Sequence, residues 1–358
     1  KNFKYTDMII IYEGRRFMNK EVKLLLKTLK IPIVDEDRNY WLVRTNEGEY
    51  FQDFYFDNFI AIGFDAIPLN KICQDQYLEM KQAIREYYPE YANPDLIVNQ
   101  LVEFVHHMKK GDIVLLPSLN SAYIVIGELL DDEMYLLNKV QSMEWAREKR
   151  CPYIKRRRVK WYKYIKREEL DVYLHSLLNI EQLVSNINDY ASFIDRTLYS
   201  FYIKGDKAYS VFQVNKDYNI PALELSSLIY NIVSMVDKIN ELSDEEFNLN
   251  KKEINVKINV QSSGPIELSG AIETLVWVTV ILIGIFGGEI NFIHLFQFKT
   301  DGLIDAAKKI IELLKNDKED KWKEQMSYLL KELKVELPRI RRIKRPEIDN
   351  EEKKEVLD

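Results

Sequence analysis

The chain is poor in the residues that build covalent or metal-held scaffolds: its 358 residues include two cysteines, four histidines, 12 glycines and 10 prolines. Cys73 and Cys151 are too few for a disulfide framework or a four-ligand zinc site, and no Cys-x-x-Cys pair occurs. This usage fits a reducing, cytoplasmic compartment. From Lys1 to Arg16 only Met8 to Ile11 is apolar, short of the about 7 to 15 residues of a secretory leader, so none is expected. No apolar run reaches the about 20 residues of a membrane-spanning helix. The longest, Thr274 to Gly288, is fifteen residues without a charge.

Catalytic patterns are missing as well. There is no Walker motif, no Gly-x-Ser-x-Gly elbow and no dinucleotide fingerprint. His106 and His107, adjacent on one helix, point about 100° apart and cannot share a metal as an i, i+4 pair could. His175 and His294 are isolated. Glu253-Ile254-Asn255-Val256-Lys257 lacks the spacing of a PD-(D/E)xK nuclease, and Glu319-Asp320-Lys321 sits in a charged helical stretch. Glu267 and Glu273 could hold a cation, but nothing singles them out. No catalytic residue, metal or cofactor is expected; an enzyme with a site assembled from scattered acids is the alternative.

What the chain does have is 46% apolar and 12% aromatic residues and an uneven charge distribution. The net charge is −6, yet the 21 residues from Arg147 to Arg167 hold eleven Lys or Arg and one acid, leaving −16 for the rest. Within that window Tyr153, Trp161, Tyr162 and Tyr164 interleave with the cations. Such a composition suits a surface that tracks phosphates and stacks bases. A solvated strand pairing with the acidic remainder is the competing reading.

Periodicity supplies the organisation. Met18 to Leu29 is helical and stopped by Pro32; Tyr40 to Arg44 is a strand followed by the turn Asn46-Glu47-Gly48-Glu49. Phe54 to Phe64 reads as a second strand, Pro68 to Tyr88 and Asp95 to Met108 as helices, and Ile113–Leu116 with Tyr123–Leu129 as a hairpin. A basic strand carrying Val159 and Trp161 on one face follows. Beyond Glu168 the pattern is helical to about Tyr199, strand-like at Lys207–Val214, helical at Ala222–Leu242, and alternating at Glu253–Val260, with Ile254, Val256, Ile258 and Val260 on one face. The apolar segment Ala271–Gly288 is read as a buried helix, with a membrane segment and a dimer interface as alternatives. Helices at Gly302–Leu314 and Lys321–Leu333 precede a charged tail.

Five stretches carry a family resemblance: Tyr40-Trp41-Leu42-Val43-Arg44-Thr45, Ile60-Ala61-Ile62-Gly63-Phe64, Lys109 to Pro117, Tyr123 to Glu128 and Arg157-Arg158-Val159-Lys160-Trp161. In order and spacing this region resembles the EVE-type branch of the PUA superfamily, small barrels that bind nucleic acids and in several members read a modified base. The resemblance spans about 130 of the 358 residues. It implies a slot for an unstacked base, walled by Trp41, Phe64, Tyr123 and Trp161. In the relatives the residue after Ile-Gly is often Trp; here it is Phe64. Val256 to Leu268 and Phe286-Gly287-Gly288 are similar to parts of uncharacterised bacterial proteins associated with phage defence.

The expected fold class is therefore α+β: an extension over residues 1–35, a PUA/EVE-like mixed β-barrel with helices over 36–168, a helical connector opening an α+β domain over 169–336, and a mobile tail over 337–358. The expected activity is nucleic-acid binding, with sensing of a modified base and antiviral defence as its setting. Trp41, Phe64 and Trp161 would contribute to the pocket wall and Arg156, Arg157, Arg158 and Lys160 would hold the phosphates, with Arg44 and Tyr123 in the same nucleic-acid-binding set. Nucleic acid is the expected partner, and a homo-oligomer would form through the C-terminal domain. A membrane-associated effector governed by a ligand-binding barrel is the alternative of a different class.

Overall fold

The computed structural model describes residues 20–216, 219–243, 247–259, 263–287, 302–317 and 320–340. The fold is mixed α+β with two β-sheets, one of them a curled half-barrel. Two compact units share the chain: residues 37–198, and residues 20–36 together with 199–340.

The discontinuous unit begins with α1 (Lys20–Leu29) and β1 (Ile33–Val34). Val22, Leu25 and Leu26, at helical spacing, are buried, and the left-handed Lys30 (φ 55°) ends the helix two residues before Pro32. The expected N-terminal extension is thus core material from residue 20 onward; residues 1–19 lie outside the described residues.

Between residues 37 and 198 the chain builds the half-barrel. Its strands are β2 (Tyr40–Val43), β3 (Phe59–Ile62), β4 (Ile113–Pro117), β5 (Tyr123–Leu129), β6 (Tyr135–Leu136), β7 (Lys155–Lys166) and β8 (Val184–Asn186). They run in the order β3-β7-β5-β4-β2-β8, with β6 also on β7. β2 and β4 are parallel, and every other pair is antiparallel. The expected strand over Phe54–Phe64 is corrected here. Phe51–Phe56 forms a helix, α2, and only after the left-handed Asn58 (φ 59°) does β3 start. The aromatic run met the strand pattern because a short helix buried on its Phe51, Phe54 and Tyr55 side is as apolar as a strand.

α3 (Tyr77–Tyr87) follows two short 3₁₀ turns, and α4 (Pro94–Val102) is capped by the Asn93 side chain, which accepts from Leu96 N at 3.3 Å. α4 does not run on to Met108. Residues Glu103–His107 widen into a π turn, in which Met108 N donates to Glu103 O at 3.0 Å. α5 (Lys139–Arg147) precedes β7, and α6 (Ala191–Leu198) closes the unit.

The boundary expected at residue 168 is corrected as well. Leu183 O accepts from Arg44 N at 2.8 Å, β8 pairs with β2, and Tyr40 donates its phenol to buried Asp195 at 2.6 Å. The supposed connector is the barrel's last strand and its closing helix.

The chain then returns to the first unit through β9 (Phe201–Lys204), β10 (Lys207–Val214), α7 (Ala222–Leu242), β11 (Asn255–Ile258), β12 (Gly264–Ala271), α8 (Ile272–Phe286), α9 (Leu303–Asn316), α10 (Lys321–Glu332) and β13 (Val335–Glu336). The sheet order is β1-β9-β10-β12-β11, with β13 on β10 and β1 parallel to β9. α8 is the apolar segment, and from Thr274 to Ile285 every residue is buried. Thr279 donates to Ser210 of β10 at 3.0 Å, which fixes the helix on the sheet. Among the described residues no helix is long and apolar enough to cross a membrane. β11 is shorter than expected, and its Ile258 is 51% exposed; Val260, Gly288 and the tail beyond residue 340 lie outside the described residues.

Gly127 is closely packed in the half-barrel. Between Ile126 and Gly127 the β5–β7 register shifts, and Trp161 lies opposite the glycine. A Cβ there would stand 2.5 Å from Trp161 Cε3 and 2.8 Å from Lys160 O. Gly127→Ala is expected to destabilise the protein by about 1–3 kcal/mol, read as a lowered denaturation midpoint. An unchanged midpoint would show that strand and indole yield without strain.

Candidate nucleic-acid interface

β7 holds most of the basic window, and its cations divide sharply by position. Lys155, Arg156 and Arg157 are each 1% exposed, whereas Arg158 and Lys160 face solvent. The assignment of Arg156 and Arg157 to phosphates is corrected, because their donors are already used inside the fold. Arg157 donates from Nε to Phe104 O at 2.7 Å, from Nη2 to Val105 O at 2.7 Å and from Nη1 to Asp132 O at 3.0 Å. The first two acceptors belong to the π turn, where carbonyls lose the regular α-helical donors. Burial pushes the Arg157 guanidinium down to about 10.

Arg156 donates to Tyr153 O and Cys151 O, each at 2.8 Å. Its guanidinium carbon lies 4.1 Å from the centroids of both Phe59 and Trp145. Arg150 approaches the same Trp145 ring at 3.7 Å. Arg150 also pairs with Asp53 at 3.1 Å and with Asp57. Lys155 donates to Phe64 O at 3.0 Å and to Asp65 Oδ1 at 3.1 Å.

The exposed members are arranged differently. Arg158 pairs with Asp131 at 3.2 Å across a surface where both side chains are substantially solvated, an interaction worth little in water. Lys160 Nζ lies 5.2 Å from the Tyr162 ring. These two are the site cations that a phosphate could reach.

The expected aromatic wall is also rearranged. Trp41 is 2% exposed and donates its indole N–H to Asp112 at 2.8 Å; Trp161 is fully buried and donates to Phe54 O at 3.2 Å. Both belong to the core. Arg44 donates to the carbonyls of Leu178 (2.6 Å) and Ile180 (2.8 Å) and so ties down the segment before β8. Tyr123 stacks on Tyr164 with centroids 4.7 Å apart.

Phe64 is also buried, at 5% exposed, but it borders partly exposed rings, and the structure joins it to tyrosines the sequence pattern did not connect. Its centroid is 5.0 Å from Tyr88 and 5.1 Å from Tyr91, both edge-on. Tyr153 lies where a Cβ on Gly63 would come within 3.2 Å, and it meets Tyr50 edge-on at 5.3 Å. Tyr91 is 37% exposed, and Tyr50, Tyr88 and Tyr153 are half-buried. Phe64 adopts φ 62°, a left-handed backbone that a bulky residue enters only under constraint. Three bonds supply that constraint. Lys155 Nζ and Ile67 N both donate to Phe64 O, and Ile154 N donates to Asp65 Oδ2 at 3.2 Å. The family word drew attention to Phe64; Tyr50, Tyr88 and Tyr91 lie in other elements, so no linear spacing connects them.

Among the described residues no group of three or more His, Cys, Asp or Glu is placed to hold a metal ion. His106 is tied to Ile72 O at 2.5 Å. Cys151 is buried, and burial pushes its thiol up to about 12, which keeps it an unreactive thiol at neutral pH.

Two measurements test this arrangement. Arg157→Met removes the donors from three carbonyls and is expected to cost about 2–4 kcal/mol of stability, with Arg157→Lys failing to restore it because one ammonium cannot serve three acceptors in fork geometry. A midpoint unaffected by Met would mean that water satisfies these carbonyls. Burial, with Glu49 next in size, pushes the Tyr50 phenol up to about 12. Above about pH 10 the unfolded phenol sheds a proton that the folded one keeps, so stability falls as pH rises through that window. Denaturation at pH 9 and 11 should show a smaller drop for Tyr50→Phe than for the native chain; an equal drop would dissociate Tyr50 from it.

A family model for a domain of unknown function (DUF8426) matches residues 39–201, a little under half of the chain, and its limits nearly coincide with the half-barrel unit. No curated protein and no solved structure matches the chain. The half-barrel unit is thus similar to a domain family of unknown function.

Proposed function

We propose that the half-barrel unit is a PUA/EVE-like nucleic-acid-binding module that receives an unstacked base among the tyrosines around Phe64. The supporting observation is the group of partly exposed tyrosines packed around the buried, left-handed Phe64, at the position where the family resemblance puts a pocket wall. Unstacking a base costs a few kcal/mol. Ring stacking returns about 1–3 kcal/mol per base, so a ring group of this kind offsets most of that cost. Backbone affinity falls to Arg158 and Lys160, the two exposed cations of the expected set. In this reading the module is a sensor, and the discontinuous unit transmits the bound state through self-association or a partner.

Two phosphate contacts on a single strand predict a plot of log K against log salt with a slope of about −1.4. Fluorescence anisotropy with labelled single-stranded RNA and DNA over a salt series measures it. Replacing Arg158 and Lys160 by Ala should flatten the slope, whereas Tyr91→Ala should weaken binding at every salt concentration with the slope unchanged. Tyr91 is chosen because its exposure makes loss of folding a minor concern. Native binding with zero slope, or Tyr91→Ala binding as the native chain does, would overturn this division of roles.

A further inference from the structure

The rings around Phe64 sit in a negative environment of the chain's own making. Three of the five rings have a carboxylate beside them in sequence: Glu49 next to Tyr50, Asp65 next to Phe64, and Glu90 next to Tyr91. Glu49 and Glu90 are exposed, and Asp65 is half-buried. Their charges reach the rings. Glu49 acts on the phenols of Tyr50 and Tyr153, Asp65 on Tyr88, and Glu90 on Tyr88 and Tyr91, in each case opposing a phenolate.

Three cations near the group are turned to other work. Lys155 is buried on Phe64 O and Asp65, and Arg156 is buried on Tyr153 O and Cys151 O between two rings. Arg150, over the Trp145 ring, is paired with Asp53 and Asp57. None of them projects toward an incoming ligand from among these contacts.

Ring faces carry negative potential and attract cations, more strongly as water is excluded. The exposed Glu49 and Glu90 at the rim add to that attraction, whereas Asp65 is paired with Lys155. A neutral base would gain stacking alone. A base with a fixed positive charge would gain stacking, attraction to the ring faces and attraction to the rim. A phosphate would be repelled here, which fits a backbone held elsewhere.

We propose that the tyrosine group around Phe64 selects a positively charged nucleobase, a purine methylated on a ring nitrogen, over the unmodified purine. The proposal rests on the base-binding reading above and adds the charge of the base to it. 1-Methyladenine, cationic at neutral pH, is a suitable probe, and it can be presented as a nucleoside or within RNA.

The test is titration calorimetry of the full chain with 1-methyladenosine, with adenosine, and with a short single-stranded RNA bearing one or the other; a trimethyllysine peptide is the control for a different cationic partner. The expected result is a preference of about tenfold for the methylated form, in the nucleoside and in the RNA alike. Tyr91→Leu should abolish the preference. Glu90→Gln should reduce it severalfold while leaving adenosine affinity unchanged, an effect that simple loss of structure would not produce. Binding confined to the RNA pair would still support the proposal if the preference persists, and would identify polymer rather than free nucleoside as the source. Equal affinity for methylated and unmodified forms, with both lost in Tyr91→Leu, would overturn the charge selection and leave the base-binding reading standing. Failure of both nucleosides and both RNAs to bind would overturn the two together, and binding of the peptide alone would reassign the group to a methylated protein.

Discussion

Burial of three consecutive cations in β7 is the constraint around which the half-barrel is arranged. Taking one guanidinium or ammonium out of water costs several kcal/mol unless its donors are met. Here they are met mainly by backbone carbonyls and ring faces, with Asp65 the one carboxylate bonded to the three side chains in the contacts described. The acceptors lie in irregular chain: the π turn of residues 103–107, the approach to β7 at 151–153, the loop after β5 at Asp132, and the turn after β3 at Phe64. These segments leave carbonyls without regular partners, and a buried carbonyl with no donor is itself costly. Each side of the arrangement solves the other's problem. Pieces up to 91 residues away along the chain are thereby fixed to one strand.

This also changes the meaning of the charge distribution. Read along the chain, Arg147 to Arg167 is a strip of +10. In the fold, Arg150 and Lys155 meet Asp53, Asp57 and Asp65, while Arg156 and Arg157 take carbonyls. Lys163 donates to Thr197 O at 2.7 Å, and Arg167 to Asn120 O at 3.4 Å. Part of the strip therefore holds the unit together, and the outward field comes from the six exposed cations among its eleven, Arg147, Lys149, Arg158, Lys160, Lys163 and Arg167. Net charge along a sequence constrains association and solubility, but the sequence does not reveal which cations face water.

Legibility followed the strength of local periodicity. α7 agrees with the expected Ala222–Leu242 because Leu228, Ile232, Met235, Val236 and Ile239 keep a helical spacing over 21 residues. The β4–β5 hairpin and β2 were legible for the matching reason, short β-rich runs bounded by turns. Lys155-Arg156-Arg157 could not be read as interior. Period-2 alternation assumes one solvated face, and here Phe104 covers one side and Trp145 with Phe59 the other, while β3 and β6 occupy both edges. β8 was missed because three residues carry almost no pattern, and its place is set by pairing with β2 about 140 residues away. Of the site, Phe64 was legible through its family-like word. Its ring neighbours come from the turn before α2, the end of α3 and the approach to β7, which only the fold assembles.

The basic strand nevertheless contributes to the site, from behind rather than from the surface. A phenylalanine at φ 62° costs on the order of 1–3 kcal/mol relative to an unstrained backbone, and the conformation persists only where its surroundings hold it. Lys155 does this by grasping Phe64 O and Asp65 together, a charge-assisted bond made in the interior, where water competes weakly. An ordinary β backbone at residue 64 would continue the line of β3 and direct the ring along the strand. The left-handed turn brings it against Tyr88 and Tyr91 instead. The same burial that takes Lys155 out of water is what gives the aromatic group its geometry, so the cation run and the ring group are structurally coupled.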